Sequence, residues 1–302
     1  MMELAPDALR GSYPPLVTPL HDGEVDFETY GQLVEMQVRE GSHGVVVNGT
    51  TGEPTTLTLR ERTRLVATAV KAAASRIPVV AATGSQSLAE TLELTSAAED
   101  AGAQAVLVLT PYFVKPPPRG VVDYFVEVGK RTRLPLLIYH IPGRTALEMK
   151  PETVERIADR LPNLVGLKHA ANDLGFVTAV LHRLGAAFRI FAGIEELSFP
   201  MLAIGATGLM NAVGNIAPRR VADLYRAAAR GDALTARRLH EDLFELNQAV
   251  FFDTNPIPLK YMMKRMGLLP GEEHRLPMVG ATAELAERLD GVLRRAGLLS
   301  AQ

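Results

Sequence analysis

Short runs of apolar, mostly β-branched residues recur along the first two thirds of the chain, about 20 to 35 residues apart, the spacing of strand–helix units. Such a run is typical of a buried strand. Between the runs, apolar residues recur three or four positions apart, as Val154, Ile157 and Leu161 do, and this spacing predicts an amphipathic helix. The predicted strands lie at residues 16–18, 45–47, 79–81, 106–108, 136–138, 164–167, 190–192 and 208–210.

This alternation predicts an α/β fold, a (β/α)8 TIM barrel with a C-terminal helical extension. An open, doubly wound sheet also alternates strands and helices, but no Gly-x-Gly-x-x-Gly follows the first run, which disfavours a dinucleotide-binding sheet. Beyond residue 217 the apolar spacing is helical, for example at Leu239, Leu243 and Leu246. We therefore predict a catalytic barrel over residues 1–217 and a helical domain over residues 218–302.

The composition narrows the class of partner. The chain has 302 residues, of which 47% are hydrophobic, and its formal net charge of −2 disfavours nucleic acids and membrane surfaces. It has no cysteine, so disulfides, thiolate nucleophiles and cysteine-bound zinc are excluded. We recognise no signal peptide and no apolar run of membrane-spanning length, and therefore expect a cytoplasmic protein that acts on small molecules.

Lys168 directly follows the apolar run 164–167, at the end of a predicted buried strand. In a TIM barrel the chemistry lies at the carboxyl ends of the strands, so this lysine falls where catalytic residues are expected. Burial disfavours the charged ammonium, and a neutral lysine amine attacks ketones to form a Schiff base. The alternative is a lysine whose stem lies along the strand end while its ammonium reaches solvent.

Other polar residues follow the neighbouring runs. Gly49, Thr50 and Thr51 come after the second run, and Tyr139 and Arg144 come after the fifth. A tyrosine can shuttle the protons of imine formation, threonine hydroxyls and loop N–H groups can hold a carboxylate, and an arginine can bind a second carboxylate. Each residue also has a structural alternative, as a turn, a strand-end tyrosine or a surface charge. Their joint placement on strand ends favours the chemical interpretation.

Several further polar residues are predicted to lie outside the chemistry. His140 and His169 are expected to pack or to contact solvent rather than to catalyse. Glu195, Glu196 and Asp253 are expected to be solvated charges, since no His-x-x-x-His or clustered carboxylate pattern accompanies them. The sequence therefore predicts no metal site.

Together these motifs resemble the dihydrodipicolinate synthase / N-acetylneuraminate lyase family of pyruvate-dependent lyases, essentially from end to end. Within that family, the Pro-Gly-Arg-Thr and Asn-Pro-Ile-Pro segments are most similar to the 4-hydroxy-tetrahydrodipicolinate synthases and less similar to the sialic acid lyases. The resemblance rests on residues 49–53, 110–112, 139–145, 166–168 and 255–258.

The resemblance implies a barrel enzyme that needs no cofactor or metal and is usually a homotetramer, a dimer of dimers. It implies an imine between Lys168 and pyruvate, which loses a methyl proton to become an enamine and then attacks an aldehyde. For a synthase the aldehyde is aspartate semialdehyde, and cyclisation releases the product. The implied catalytic residues are Lys168, Tyr139 and Thr50, and the implied substrate-binding residues are Thr51, Gly49, Arg144, Tyr112 and Met210.

Two departures from the family pattern leave a second function open. Phe113 stands where the family has a tyrosine whose hydroxyl completes a proton relay in the neighbouring subunit's site. Leu59, Arg62 and Gln86 stand where lysine-inhibited synthases carry other polar residues, so we predict little or no inhibition by L-lysine. The alternative function is a catabolic 2-oxo acid aldolase or sugar-acid dehydratase of the same family. An oxo-acid-binding protein without turnover is disfavoured because Lys168 is present.

Overall fold

Eight parallel strands form a barrel surrounded by helices, which confirms the predicted fold. The computed structural model describes residues 2–299. Numbered along the chain, the strands β1 to β8 are Gly11–Ser12, Val45–Val47, Val79–Ala82, Ala105–Leu109, Leu136–His140, Leu164–His169, Arg189–Ala192 and Gly208–Leu209. Neighbouring strands are hydrogen-bonded in the order β1–β8–β7–β6–β5–β4–β3–β2. A separate antiparallel hairpin joins Leu20–His21 to Glu24–Val25.

The first strand lies earlier in the chain than the predicted run 16–18, so that prediction is wrong. β1 pairs with β8 along its length, whereas residues 16–18 are assigned to no strand in the described chain. Pro14 and Pro15 lack N–H groups, so the ladder cannot continue through them. The Leu16 N–H donates to the Val46 carbonyl at 3.0 Å, and this bond links the segment to β2 and closes the barrel.

Helices connect successive strands and pack around the barrel. Four of them begin at a side chain that accepts a hydrogen bond from a first-turn N–H, and these caps are Asp26, Thr58, Ser87 and Asp173. The surrounding helices are Phe27–Arg39, Leu59–Ala73, Leu88–Asp100, Pro118–Gly129, Pro151–Arg160, Leu174–Leu184, Ser198–Ala203 and Pro218–Ala229. Shorter helical segments are Thr50–Gly52, Pro54–Thr56, Pro142–Thr145, Glu195–Leu197 and Ala212–Asn215.

The C-terminal part of the chain is helical, as predicted. The helix Pro218–Ala229 packs against β1 and β8, where the last helix of the barrel ring belongs, and the domain boundary at residue 217 stays a prediction. Within residues 2–299, no helix has the length and apolar character needed to cross a membrane. The helices that follow the ring are Ala233–Asp242, Phe244–Ala249, Ile257–Arg265 and Ala283–Arg295.

Side chains of the strands alternate between the barrel interior and the layer beneath the helices, and this alternation decides which residues reach the barrel mouth. On β5, Leu137 and Tyr139 belong to the interior cluster, whereas Leu136 and Ile138 pack outward. Met210, which follows β8, also belongs to the interior cluster and is 1% exposed. The interior is therefore a packed core whose upper layer carries Tyr139.

Candidate active site

A β-bulge in β6 turns Lys168 toward the interior of the barrel. The pairing of β5 with β6 jumps from Leu164 to Gly166, so Val165 is an extra residue. Leu164 packs outward, and plain two-residue alternation from it would direct Lys168 outward as well. Because of the extra residue, Lys168 instead lies beside Tyr139, its partner on β5, which faces the interior.

Lys168, Tyr139 and Thr50 lie together at the barrel mouth. The Lys168 Nζ is 4.3 Å from the centre of the Tyr139 ring, and the Tyr139 hydroxyl lies 3.3 Å from Thr50 Oγ1, within a shared hydrogen bond. Lys168 and Tyr139 are each 5% exposed, so the amine has little contact with bulk water. The structure thus brings the three predicted catalytic residues into one group.

The turn Thr50–Gly52 that carries Thr50 is fixed by hydrogen bonds to distant parts of the chain. The Thr18 hydroxyl donates to the Gly52 carbonyl at 2.8 Å. The Asn255 amide donates to Thr51 Oγ1 at 3.0 Å, which leaves the Thr51 hydroxyl proton free to bond another acceptor. Asn255 belongs to the 255–258 motif, and its bond to Thr51 gives that motif a physical role in positioning the turn.

Glu53, the residue after this turn, anchors it to the C-terminal helices. One Glu53 carboxylate oxygen accepts from Lys260 Nζ at 2.9 Å and the other contacts His274 Nδ1 at 2.7 Å. Glu53 is 6% exposed and Lys260 is fully buried. Burial alone would raise the pKa of Glu53, but the His274 hydrogen bond and the Lys260 charge outweigh it and hold that pKa below its ordinary value. The backbone of the catalytic turn is therefore tied to a buried ion pair.

Two of the predicted binding residues border an open cleft next to this group. Arg144, on the short helix Pro142–Thr145, and Tyr112, which follows β4, line a cleft of about 240 Å³ together with Thr50. Arg144 is exposed, so its guanidinium is free to meet an anion in the cleft. A charged group at the mouth and a buried amine below it suit a small anionic substrate.

The other predicted binding residues lie closer to the barrel interior. Gly49 lines an adjoining cleft of about 200 Å³ that also contains Thr50 and Tyr139. Thr51 is 2% exposed and Met210 is 1% exposed, so both lie behind the residues that border the clefts. Gly49 is buried but borders the cleft next to the catalytic group, and binding by Gly49, Thr51 and Met210 stays a prediction.

Phe113 points away from these clefts. It is 87% exposed, has a left-handed backbone φ of 70°, and does not line either cleft, although its neighbour Tyr112 lines both. A non-glycine residue in this region of φ is uncommon and strained. Phe113 stands where the family pattern has a relay tyrosine. Within the described residues of one chain, it therefore supplies no hydroxyl and does not contact Tyr139.

His140 and His169 pack beneath the helices, as predicted, and their lack of a catalytic role stays a prediction. Their Nδ1 atoms lie 3.2 Å apart, and the His169 ring stacks on Phe176 with centroids 4.6 Å apart. The Met149 N–H donates to His140 Nε2, which assigns the His140 proton to Nδ1. Burial lowers the pKa of His140 to about 3, so both rings form a neutral structural pair.

Glu195 is a functional candidate that sequence reasoning missed, since it was expected to be a solvated charge. It lies two residues beyond Gly193 at the end of β7 and is 2% exposed. Burial raises the pKa of Glu195 to about 7, although the Ala212 N–H and the charge of Lys168 oppose the rise. The sequence feature that could have identified Glu195 is its position just after a predicted strand. The same feature identified Lys168 as a candidate.

Comparisons with known proteins agree with this geometry. Residues 8–296 match the model of the dihydrodipicolinate synthetase family. A relative from Thermus thermophilus, named 4-hydroxy-tetrahydrodipicolinate synthase, is 47% identical over 96% of this chain and 97% of its own. A relative of the same name from Pseudomonas aeruginosa is 37% identical over 97% of this chain and 100% of its own.

Solved structures give the same result. The crystal structure of dihydrodipicolinate synthase from Aquifex aeolicus superposes with a TM-score of 0.94 at 38% identity, covering 96% of this chain and 98% of that one. The match extends through both the barrel and the C-terminal helices. The chain therefore belongs to the dihydrodipicolinate synthetase family, whose members are class I, aldolase-type lyases.

Proposed function

We propose that the protein forms a Schiff base between Lys168 and pyruvate and acts as a 4-hydroxy-tetrahydrodipicolinate synthase, condensing pyruvate with aspartate semialdehyde. One observation carries the proposal: the Lys168 Nζ lies 4.3 Å from the centre of the Tyr139 ring, and the Tyr139 hydroxyl bonds Thr50. A nucleophilic amine and a proton shuttle are thus adjacent in a buried site. The name shared by the sequence relatives supports the specific reaction.

The proposed reaction begins when the neutral Lys168 amine attacks the ketone carbon of pyruvate. A C–N bond forms, the ketone oxygen leaves as water, and a positively charged iminium remains on Lys168. The Tyr139 hydroxyl moves the protons for addition and dehydration, and Thr50 orients it. The iminium then accepts the electron pair released when the pyruvate methyl group loses a proton, which gives the enamine.

The second half of the reaction joins the enamine to an aldehyde that carries a carboxylate. The enamine carbon attacks the aldehyde carbon of aspartate semialdehyde, and ring closure by the amine of that substrate releases the product from Lys168. We assign the pyruvate carboxylate to the N–H groups and hydroxyl of Gly49 and Thr51, and the second carboxylate to Arg144. Tyr112 lines the cleft beside Arg144 and Met210 packs below it, within the barrel.

Reductive trapping tests the imine. Incubation with pyruvate and borohydride, followed by peptide mass analysis, is expected to show a reduced pyruvate adduct on Lys168 and on no other lysine. A folded protein without this adduct would contradict the proposal. A coupled assay with pyruvate and aspartate semialdehyde, run beside a panel of hydroxy-oxo acids, identifies the second substrate.

A catabolic 2-oxo acid aldolase or sugar-acid dehydratase is the second candidate. The observation that favours it is Phe113, which lacks the hydroxyl of the relay and is 87% exposed. Both candidates use the same imine, and Arg144 fits an anionic second substrate in either case. Turnover of a hydroxy-oxo acid at a higher kcat/KM than the condensation would establish this candidate instead.

Phe113→Tyr is expected to raise the condensation rate roughly 100-fold, the low end of what an added proton-transfer group contributes. The new hydroxyl would restore a proton donor at the position where the family pattern has one. Steady-state kcat for pyruvate and aspartate semialdehyde measures the effect. Phe244→Tyr, at another exposed phenylalanine, is the matched control and should leave the rate unchanged. An unchanged rate for Phe113→Tyr would mean that the relay works without this hydroxyl.

L-lysine is expected to leave the condensation rate unchanged. Arg62 and Gln86 line the cleft that adjoins the catalytic group, and Arg62 is 8% exposed, with its guanidinium donating to the Ala82 carbonyl. A buried cation in that cleft repels the ammonium groups of lysine. Leu59 lies outside the lining. Rates measured with rising L-lysine check the prediction, and a saturating inhibition would refute it.

We also propose that the chain assembles as a homotetramer, a dimer of dimers. The exposed side chains of Phe113 and Val114, 87% and 54% accessible beside the active-site clefts, support an interface at this loop. Sedimentation analysis tests the assembly. The cytoplasmic location stays a prediction.

A further inference from the structure

The side chain of Lys168 runs directly over the segment that leads to Glu195. A Cβ placed on Gly193 would lie 2.7 Å from Lys168 Cε, closer than any real contact. Gly193 follows β7, and its N–H donates to the His169 carbonyl at 2.8 Å, which fixes the two strand ends side by side. The absence of a side chain at Gly193 therefore gives the lysine stem its path, and the turn Glu195–Leu197 begins two residues later in the chain.

The Glu195 carboxyl is buried, and only one of its two oxygens accepts a hydrogen bond within residues 2–299. The Ala212 N–H donates to Oε1 at 2.5 Å, whereas Oε2 is buried without a partner among residues 2–299. The Oδ1 of Asn211, next to Ala212, is also buried without a partner in the same part of the chain. An ionised carboxylate in such surroundings is costly unless a proton or a cation compensates it.

Imine formation creates such a need for charge compensation. A neutral amine, a ketone and one proton combine to give an iminium and water, so a positive charge appears on the lysine and stays until the methyl proton leaves to give the neutral enamine. In a site as buried as that of Lys168, an uncompensated charge is much more costly than in water. A group that loses a proton in the same step would keep the total charge of the site constant.

We propose that Glu195 is this charge-balancing acid: its carboxyl releases a proton as the Lys168 iminium forms and regains one when the iminium is resolved. This inference rests on the proposed Schiff-base function. In the forward step the proton from Glu195 ends in the water that leaves, so neutral Lys168, the neutral carboxylic acid and pyruvate give iminium, carboxylate and water. Glu195 is a positioning residue, since it acts through Lys168.

The charged groups around Glu195 are consistent with this pairing. The positive charge of Lys168 acts on the Glu195 carboxyl and opposes the rise in its pKa that burial causes. Glu196, on the same turn, is exposed, and Arg288, from the helix Ala283–Arg295, lies over the Phe252 ring at 3.2 Å. Burial lowers the pKa of His240, from the helix Ala233–Asp242, so this ring is neutral near pH 7.

A route for proton exchange with solvent lies on the other side of Glu195. It lines a cleft of about 410 Å³ that also contains Glu196, Gln248 and Arg288, and this cleft does not include Lys168. Glu195 thus borders a cleft separate from the two clefts at the catalytic group. A proton can return to Glu195 through the cleft after each turnover without crossing the substrate.

The rate of imine formation across the neutral pH range tests the proposal. Full-length protein is mixed with pyruvate, quenched with borohydride at intervals, and the adduct on Lys168 is measured by intact mass. In wild type the rate should fall as the pH rises through a midpoint near 7, because burial raises the pKa of Glu195 to about 7 and above that pH the carboxyl has already lost the proton that it must release.

Glu195→Gln should remove this fall of the rate with pH and slow imine formation below the midpoint about 100-fold, the scale of a lost acid–base contribution. Glu196→Gln, a neutralisation of the exposed neighbour, is the matched control and should keep the wild-type profile. If Glu195→Gln keeps the pH profile and rate of the wild type, the proposal fails. A merely structural role of Glu195 would change the stability of the protein and leave the midpoint of the pH profile unchanged. Absence of any adduct in wild type would instead refute the proposed function itself.

Glu195→Asp keeps the test decisive if the glutamine variant does not fold. Its shorter carboxyl retains an acid at this position, and we expect the rate to fall with rising pH through a displaced midpoint. If the midpoint in Glu195→Asp equals that of wild type, the pH dependence does not arise from residue 195 and the proposal fails.

Discussion

Replacing Lys168 by methionine is expected to lower turnover at least about 10⁴-fold and to abolish the borohydride-trapped pyruvate adduct. Methionine keeps an unbranched, apolar stem of similar length in the path beside Gly193 but has no amine. Covalent catalysis is lost with the amine, whereas the packing of the barrel interior is retained. The kcat with pyruvate and aspartate semialdehyde, together with intact mass after trapping, measures both losses.

The control is a lysine outside the barrel mouth. Lys150 precedes the helix Pro151–Arg160 and is exposed, so Lys150→Met should keep the wild-type kcat and adduct. Thermal unfolding of Lys168→Met should match that of wild type within a few degrees, which separates the lost chemistry from misfolding. Retention of more than about a hundredth of the wild-type kcat in a folded Lys168→Met would exclude the covalent mechanism.

The fold was predictable because its signal is repeated along the chain. Seven of the eight predicted runs, residues 45–47 through 208–210, overlap the strands β2 to β8. The run 16–18 failed because two prolines precede it and the short pair Gly11–Ser12, with no apolar run of its own, pairs with β8 instead. A strand of two residues leaves no periodicity to detect.

The candidate site was only partly predictable, since its geometry depends on one irregularity. The order of polar residues after the strands correctly selected Lys168 and Tyr139 as neighbours. Simple alternation does not predict that Lys168 faces inward, because the extra residue Val165 reverses the pattern within β6. Gly166 permits this register: a Cβ there would lie 2.2 Å from the Arg189 carbonyl oxygen. The burial of Glu195 depends on such packing too, and a carboxylate in a sequence is otherwise expected to be exposed.

Glu53→Gln is expected to lower the free energy of unfolding by about 3–5 kcal/mol, the second large effect that the structure predicts. The substitution removes the anion from a site where the Lys260 side chain is fully buried, so the ammonium remains uncompensated. Because the folded-state pKa of Glu53 lies below its ordinary value, its contribution is present at neutral pH and is lost as the pH falls through the acid range. Chemical denaturation at neutral pH measures the change.

Two comparisons separate the buried pair from an ordinary surface pair. Asp123→Asn breaks the exposed bridge to Arg160 and should cost at most about 1 kcal/mol. Adding Lys260→Met to Glu53→Gln should recover part of the loss, because the cost lies in the unpaired cation. Because Glu53 follows Thr50–Gly52, the KM for pyruvate should also rise in Glu53→Gln. A cost no greater than that of Asp123→Asn would show that the turn does not depend on the buried pair.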